Sequence, residues 1–191
     1  MRTYEETLPE GYVTAKTVDA ADKKFEMTVR TVSLAVTASV AAASYFIIRP
    51  RDFFHNFDGI VILIMLLAAA AYLLLHELVH GAAYKLLTRR KLKFGVTAAA
   101  AYCGVPDVYV YRSCALTSLF APLAVFIAVF GGAAAFLENE WHKFFAAVLL
   151  AYHLGGCVGD IYNMILLLFR FRDRSTLMRD TGPKQIFYVK K

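Results

Sequence analysis

The chain has 191 residues, of which 59% are hydrophobic and only 19% charged, and its mean hydropathy is +0.51. A soluble domain of this size has too little interior to hide so much apolar surface, so composition disfavours a water-soluble globule and points to a membrane bundle. The net charge of +6 keeps nucleic acid open as a partner until the basic residues are placed.

Residues 1–28 carry mixed charge without an early apolar core, so they are expected to be an N-terminal segment and not a signal peptide. The first apolar run is about 29–48, closed by Arg49-Pro50-Arg51-Asp52, where Pro50 disfavours helix at the residue before it. Further runs follow at about 59–87, 115–137 and 144–169, and residues 170–191 form a basic tail. Each run reaches roughly the 20 residues that a helix needs to cross a bilayer core. Between the second and third runs, residues 94–111 read FGVTAAAAYCGVPDVYVY. There Gly104 and Pro106-Asp107 divide two short runs, the second rich in Val and Tyr, which predicts a β-hairpin or a re-entrant loop. The expected fold is an all-α polytopic membrane protein, with four transmembrane helices in a domain over 29–169 and that hairpin or loop between the second and third.

Four spans put residues 1–30, 85–112 and 170–191 on one side, and these hold 18 of the 21 Lys and Arg. Arg49, Arg51 and Lys143 remain for the other side. Both termini are therefore expected in the cytoplasm. The basic surplus follows membrane topology, and no nucleic-acid partner is expected. Cys103, Cys114 and Cys157 form no C-x-x-C pair and read as small hydrophobes in a reduced or lipid setting.

The second run carries His76-Glu77-Leu78-Val79-His80. With 5 His and 7 Glu in the chain, random order would give ~0.005 such patterns. Positions i and i+4 share a helix face, so His76 and His80 can offer imidazole nitrogens to one zinc ion, with Glu77 beside it as general base. Ionisable groups are costly in lipid and signal function there. A catalytic zinc site usually takes three protein ligands. Within the spans the remaining candidates are His153 and Asp160, with Cys157 as a soft alternative. Depth separates the first two. His76 lies 17 residues past Gly59 and Asp160 lies 16 past Phe144, about 26 and 24 Å down. His153 lies 9 past Phe144, about 14 Å down. Asp160 is thus the better third ligand, unless it is a buried carboxylate bonded to Asn163 or a tyrosine. His153 either touches substrate or bonds to a neighbouring helix. Gly155, Gly156 and Gly159 are expected to let the fourth helix approach the motif helix closely.

These residues resemble the site-2 protease group of intramembrane zinc metalloproteases, in which an H-E-x-x-H helix is joined by an aspartate from a later one. More closely, the chain resembles a family of small bacterial membrane proteins described as zincin peptidases, on LPEGY at 8–12, HELVHG at 76–81 and GD at 159–160. The resemblance implies His76, His80 and Asp160 as ligands of Zn2+, with Glu77 as catalytic base. It departs at FAPLAV (120–125) and VGDIYN (158–163), where that group often has a glycine-proline motif with a nearby asparagine and an L-D-G. Pro122 remains as a kink candidate and Asn163 as a source of a polar group. Asn163, His153 and Pro122 are accordingly candidates for touching substrate or supporting the ligands. The activity implied is a zinc-dependent endopeptidase of the bacterial plasma membrane, acting on a membrane protein or peptide in or near the bilayer. In such proteases a β-element follows the motif helix, and its edge can hold an unwound substrate segment. Two rival readings are a non-catalytic zinc-binding membrane protein, as sensor or accessory subunit, and a small transporter component with a proton or metal path.

Overall fold

The computed structural model describes residues 3–52, 58–97 and 101–191. His55 of the first connection and residues 98–100 of the expected hairpin lie outside the described residues. Helix α1 (Lys23–Ile48) begins where Asp22 Oδ1 accepts the Phe25 N–H at 2.9 Å, and stops before Arg49, at φ 49°, and Pro50. Helix α2 (Gly59–Thr88) is capped by Asp58, which accepts the Ile60 and Val61 N–H groups at 3.0 and 2.9 Å. It ends at Arg89, again left-handed at φ 56°.

Helix α3 (Arg112–Phe126) runs through a π-turn at Ile127–Gly131 into α4 (Gly132–Phe136). Helix α5 (Glu140–Gly156) starts at Asn139, whose side chain accepts the Trp141 and His142 N–H groups. After Cys157 the chain continues as α6 (Val158–Ile165) and a π-turn at Leu166–Arg170, bent by 44° from α5. Gly155 and Gly156 stand just before the break, and a glycine pair is a usual cause of such a kink. Among the described residues three helices, α1, α2 and the run Arg112–Phe136, are long and apolar enough to cross a membrane, and the bent pair makes a fourth if taken as one span.

The strands are β1 (Tyr4–Glu5), β2 (Tyr12–Asp19), β3 (Lys93–Val96), β4 (Ala101–Gly104), β5 (Tyr109–Tyr111), β6 (Leu177–Asp180) and β7 (Lys184–Lys190). Five of them form one antiparallel sheet in the order β1-β5-β6-β7-β2. This overturns the all-α expectation. The sheet is built from both terminal segments and the loop before α3, with Tyr12 opposite Lys190 and Tyr4 opposite Val110. Val110, Met178 and Phe187, opposite one another in register, are buried on one face and Leu177 on the other, and Phe171 stacks on Phe187 at 5.2 Å. The expected hairpin is also corrected. β3 pairs with β4 inside the first short run, Phe94 opposite Cys103, whereas the Val/Tyr run becomes β5 and joins the large sheet.

The chain divides into two compact units. One gathers residues 1–28, 76–122 and 159–191, and so contains both sheets and the motif half of α2. The other gathers residues 29–75 and 123–158. In the latter unit Gly155 packs on Ser33 and Thr37 of α1, and Gly156 lies 3.4 Å from the Tyr72 hydroxyl; in the former, no described residue stands within 4 Å of where a Gly159 Cβ would be. Gly156 thus lies against the motif helix, on which Tyr72 stands. Gly155 admits α1, and Gly159 faces open space.

Candidate metal centre

Helix α2 carries His76 and His80 one turn apart, each 6% exposed. The His80 ring is oriented by its outer nitrogen, since Nδ1 lies 2.8 Å from the carbonyl oxygen of Ser118 on α3. A carbonyl only accepts, so Nδ1 donates and carries the proton, and Nε2 of the neutral ring is a bare lone pair. That lone pair faces His76 Nε2 at 3.2 Å and Asp160 Oδ2 at 3.3 Å. The triangle closes with His76 Nε2 to Asp160 Oδ2 at 3.2 Å. An ionised carboxylate also only accepts, so His80 and Asp160 aim two acceptors at one point.

Such an arrangement calls for a cation between the acceptors. A tetrahedral ion bound at about 2.0–2.1 Å holds its ligand atoms about 3.3 Å apart. The three edges match that spacing, so the residues fit a zinc ion. Asp160 stands in the first turn of α6, immediately past the break at Cys157, where the helix dipole favours a carboxylate. A fifth of its side chain is exposed, against 8% for each histidine, so the triangle opens to the outside on the Asp160 side.

Glu77 is half-buried, and one of its oxygens lies within 4.8 Å of ring nitrogens of both His76 and His80. Its carboxylate accepts the backbone N–H of Cys103 on β4. The β3–β4 hairpin can come this close because residue 81 is glycine. A Cβ there would stand 2.7 Å from Phe94 Cζ and 3.3 Å from Cys103 Sγ. Burial, with the nearby Glu77 and Asp180 carboxylates, pushes the Cys103 thiol up to about 12. Cys103 is therefore a neutral thiol at pH 7.

One turn past His80, Tyr84 donates its hydroxyl to Asp180 Oδ2 at 2.7 Å. Asp180 Oδ1 also accepts from the Gly182 N–H at 2.9 Å and from Gln185 Nε2 at 3.3 Å. Gln185 in turn accepts from Asn163 Nδ2 at 3.5 Å, and Asn163 donates to the Gly159 carbonyl at 3.2 Å. A polar chain thus runs from α6 through β7 and β6 to α2. The Asn163 Oδ1 at its end is buried and has no partner among the described residues.

The sequence placed His76, Glu77, His80 and Asp160 together by spacing and depth, and the structure brings these four together. His153 lies in the other unit. Its Nδ1 is 2.8 Å from the Tyr72 hydroxyl, its Nε2 is 3.4 Å from the Leu123 carbonyl, and Cys157 Sγ is 3.5 Å from its Nδ1. Sequence reasoning missed Ser118, Cys103, Tyr84, Asp180 and Gln185. Tyr84 had a signal, since it shares a helix face with His76 and His80. The Ser118 and Cys103 contacts run through backbone atoms, which no residue type announces.

Residues 69–175, just over half of the chain, match the family described as "Putative zincin peptidase". The chain belongs to that family. No curated protein and no solved structure matches it. Zincin names a zinc peptidase, so membership of the zincin peptidase family implies zinc and metallopeptidase chemistry. The matched segment contains the motif half of α2, the hairpin, Pro122 and Asp160.

Proposed function

We propose that this zincin peptidase is a membrane-embedded endopeptidase of the site-2 type that hydrolyses peptide bonds in or near the bilayer. The observation that carries the reading is the triangle of His76, His80 and Asp160 at 3.2–3.3 Å, with one corner a lone pair held toward a carboxylate. His76, His80 and Asp160 would hold the zinc, and Glu77 is left free to handle protons. Zinc when bound supplies a Lewis acid, which polarises a carbonyl oxygen and makes a water nucleophilic near neutral pH. Glu77 accepts the proton of that water and delivers it to the leaving amide nitrogen. The Cys103 N–H positions the Glu77 carboxylate for this. The hairpin beside it supports docking of an extended substrate segment along a strand edge.

Membrane placement is supported by the helix surfaces. Among described residues α1 has none buried, and α2 exposes Ile60, Leu63, Leu66, Leu67, Leu74 and Leu75. Four crossings are supported by the sheet, because residues 4–19, 109–111 and 177–190 are strands of one sheet and must share one side of a bilayer. The chain therefore crosses an even number of times between each pair of them. The basic surplus marks that side as cytoplasmic. The motif histidines lie within about 18 Å of the end of α2, by helix rise, and so near this side. A membrane protein or peptide unwound at the cytoplasmic boundary is the substrate class that this geometry serves.

Zinc content and proteolysis of detergent-purified protein test the reading. One zinc per chain is expected in wild type, Glu77→Gln and His153→Ala, with zinc lost in Asp160→Ala. Cleavage of an unstructured reporter peptide should vanish in Glu77→Gln although its zinc stays. Zinc retained in Asp160→Ala would remove Asp160 as a ligand. Zinc bound with no cleavage by wild type would favour the non-catalytic sensor or accessory role, and equal cleavage by wild type and Glu77→Gln would remove Glu77 as the base.

A further inference from the structure

We propose that Pro122 is a positioning residue for His80. Lacking an N–H, it leaves the Ser118 carbonyl open, and that carbonyl holds the His80 ring with Nε2 toward His76 and Asp160. In an α-helix the carbonyl of residue 118 would accept from the N–H of residue 122. Position 122 is proline inside α3, so that donor does not exist. Ser118 is fully buried and Pro122 nearly so, which leaves little room for water to replace the missing partner. The His80 Nδ1–H takes the place at 2.8 Å. The two groups satisfy each other, since a buried ring N–H and a buried carbonyl would each be costly alone.

Orientation is the consequence. An imidazole free to exchange its proton between nitrogens spends part of its time with Nε2–H, which presents a donor where the site needs a lone pair. Bonding the outer nitrogen to a carbonyl removes that alternative and sets the ring plane. A kink alone would not do so, because a bent helix with residue 122 donating to Ser118 would still leave the ring unanchored. The inference rests on the metal reading for its consequence, though not for its geometry.

The test uses the full chain in detergent, labelled with 15N-histidine, which gives only five rings to assign. His80 in the metal-free wild type is expected to show a downfield, slowly exchanging proton on Nδ1. Pro122→Ala supplies an N–H that competes for the Ser118 carbonyl, and it should shift that proton upfield or lose it to exchange. Pro122→Gly supplies the same donor with no Cβ, and serves should the alanine variant not fold. Zinc affinity by chelator competition should fall about 10- to 100-fold in the Pro122 variants. A His80 Nδ1 proton that is absent in wild type, or equally protected in both Pro122 variants, overturns the proposal. A proton lost in the Pro122 variants of a protein that binds no zinc would leave the positioning role standing and remove the metal reading.

Discussion

At Asp180 three donors, from Tyr84, Gly182 and Gln185, meet a carboxyl group that is only 4% exposed. Burial raises its pKa above the ordinary 3.8, and the three hydrogen bonds offset this in part. The folded state then holds a proton at Asp180 more tightly than the unfolded chain does. Between the unfolded and folded values the native protein binds more protons, so the contribution of Asp180 to stability falls as pH rises. Asp180→Asn keeps the shape and removes the titration. The melting temperature of wild type relative to Asp180→Asn should therefore decline from pH 4 upward, and a difference constant across that range would mean that the group is not linked to folding. At this scale the sequence was informative where chemistry is local. His76, Glu77 and His80 lie on one helix, and helical rise located Asp160 on another. The Asp180 and Ser118 contacts depend on where a strand or a carbonyl comes to lie, which residue identity does not encode.

Among the elements, the hairpin depends on two close approaches, and these predict different losses. A Cβ on Gly104 would meet backbone, with Thr181 C at 2.8 Å and Asp180 O at 3.0 Å. This backbone, at the end of β6 and in the turn to β7, cannot swing aside as a side chain can, so Gly104→Ala should cost about 1–3 kcal/mol of stability, read from thermal or denaturant unfolding. A Cβ on Gly81 would meet the end of the Phe94 ring and the Leu92 and Cys103 side chains, which can shift. Gly81→Ala should therefore lower stability less than Gly104→Ala. It should lower peptidase activity more, because shifting the hairpin moves the Cys103 N–H off Glu77. The reverse ranking would show that the hairpin serves the fold and not the site. The helices were legible from long apolar runs. The large sheet was not, because its strands run from two to eight residues and pair across the chain, Tyr12 with Lys190 at the extreme. Pairing at that separation leaves no local periodicity, and the apolar runs drew the reading toward helix alone.

For the whole molecule, the proposed topology draws on both the sheet and the charge asymmetry. The sheet requires the N-terminal strands, the strand before α3 and the C-terminal strands to lie on one side. On the proposed reading the basic residues put that side in the cytoplasm. If α1, α2 and the run Arg112–Phe136 each cross, the proposed topology needs one more crossing before Leu177, and the bent pair α5–α6 is apolar enough for it when taken as one span. The break would then lie within a crossing, and Asp160 would be at the start of its second half. Single cysteines test this in cells, against a quiet background because Cys103, Cys114 and Cys157 are all buried. A membrane-impermeant maleimide should label Glu138→Cys on intact cells, and Glu10→Cys and Lys191→Cys only after permeabilisation. Labelling of all three reversed would invert the orientation and keep the four crossings. Labelling of positions 10 and 191 from opposite sides would break the topology, since one sheet cannot have its strands on both faces of a bilayer.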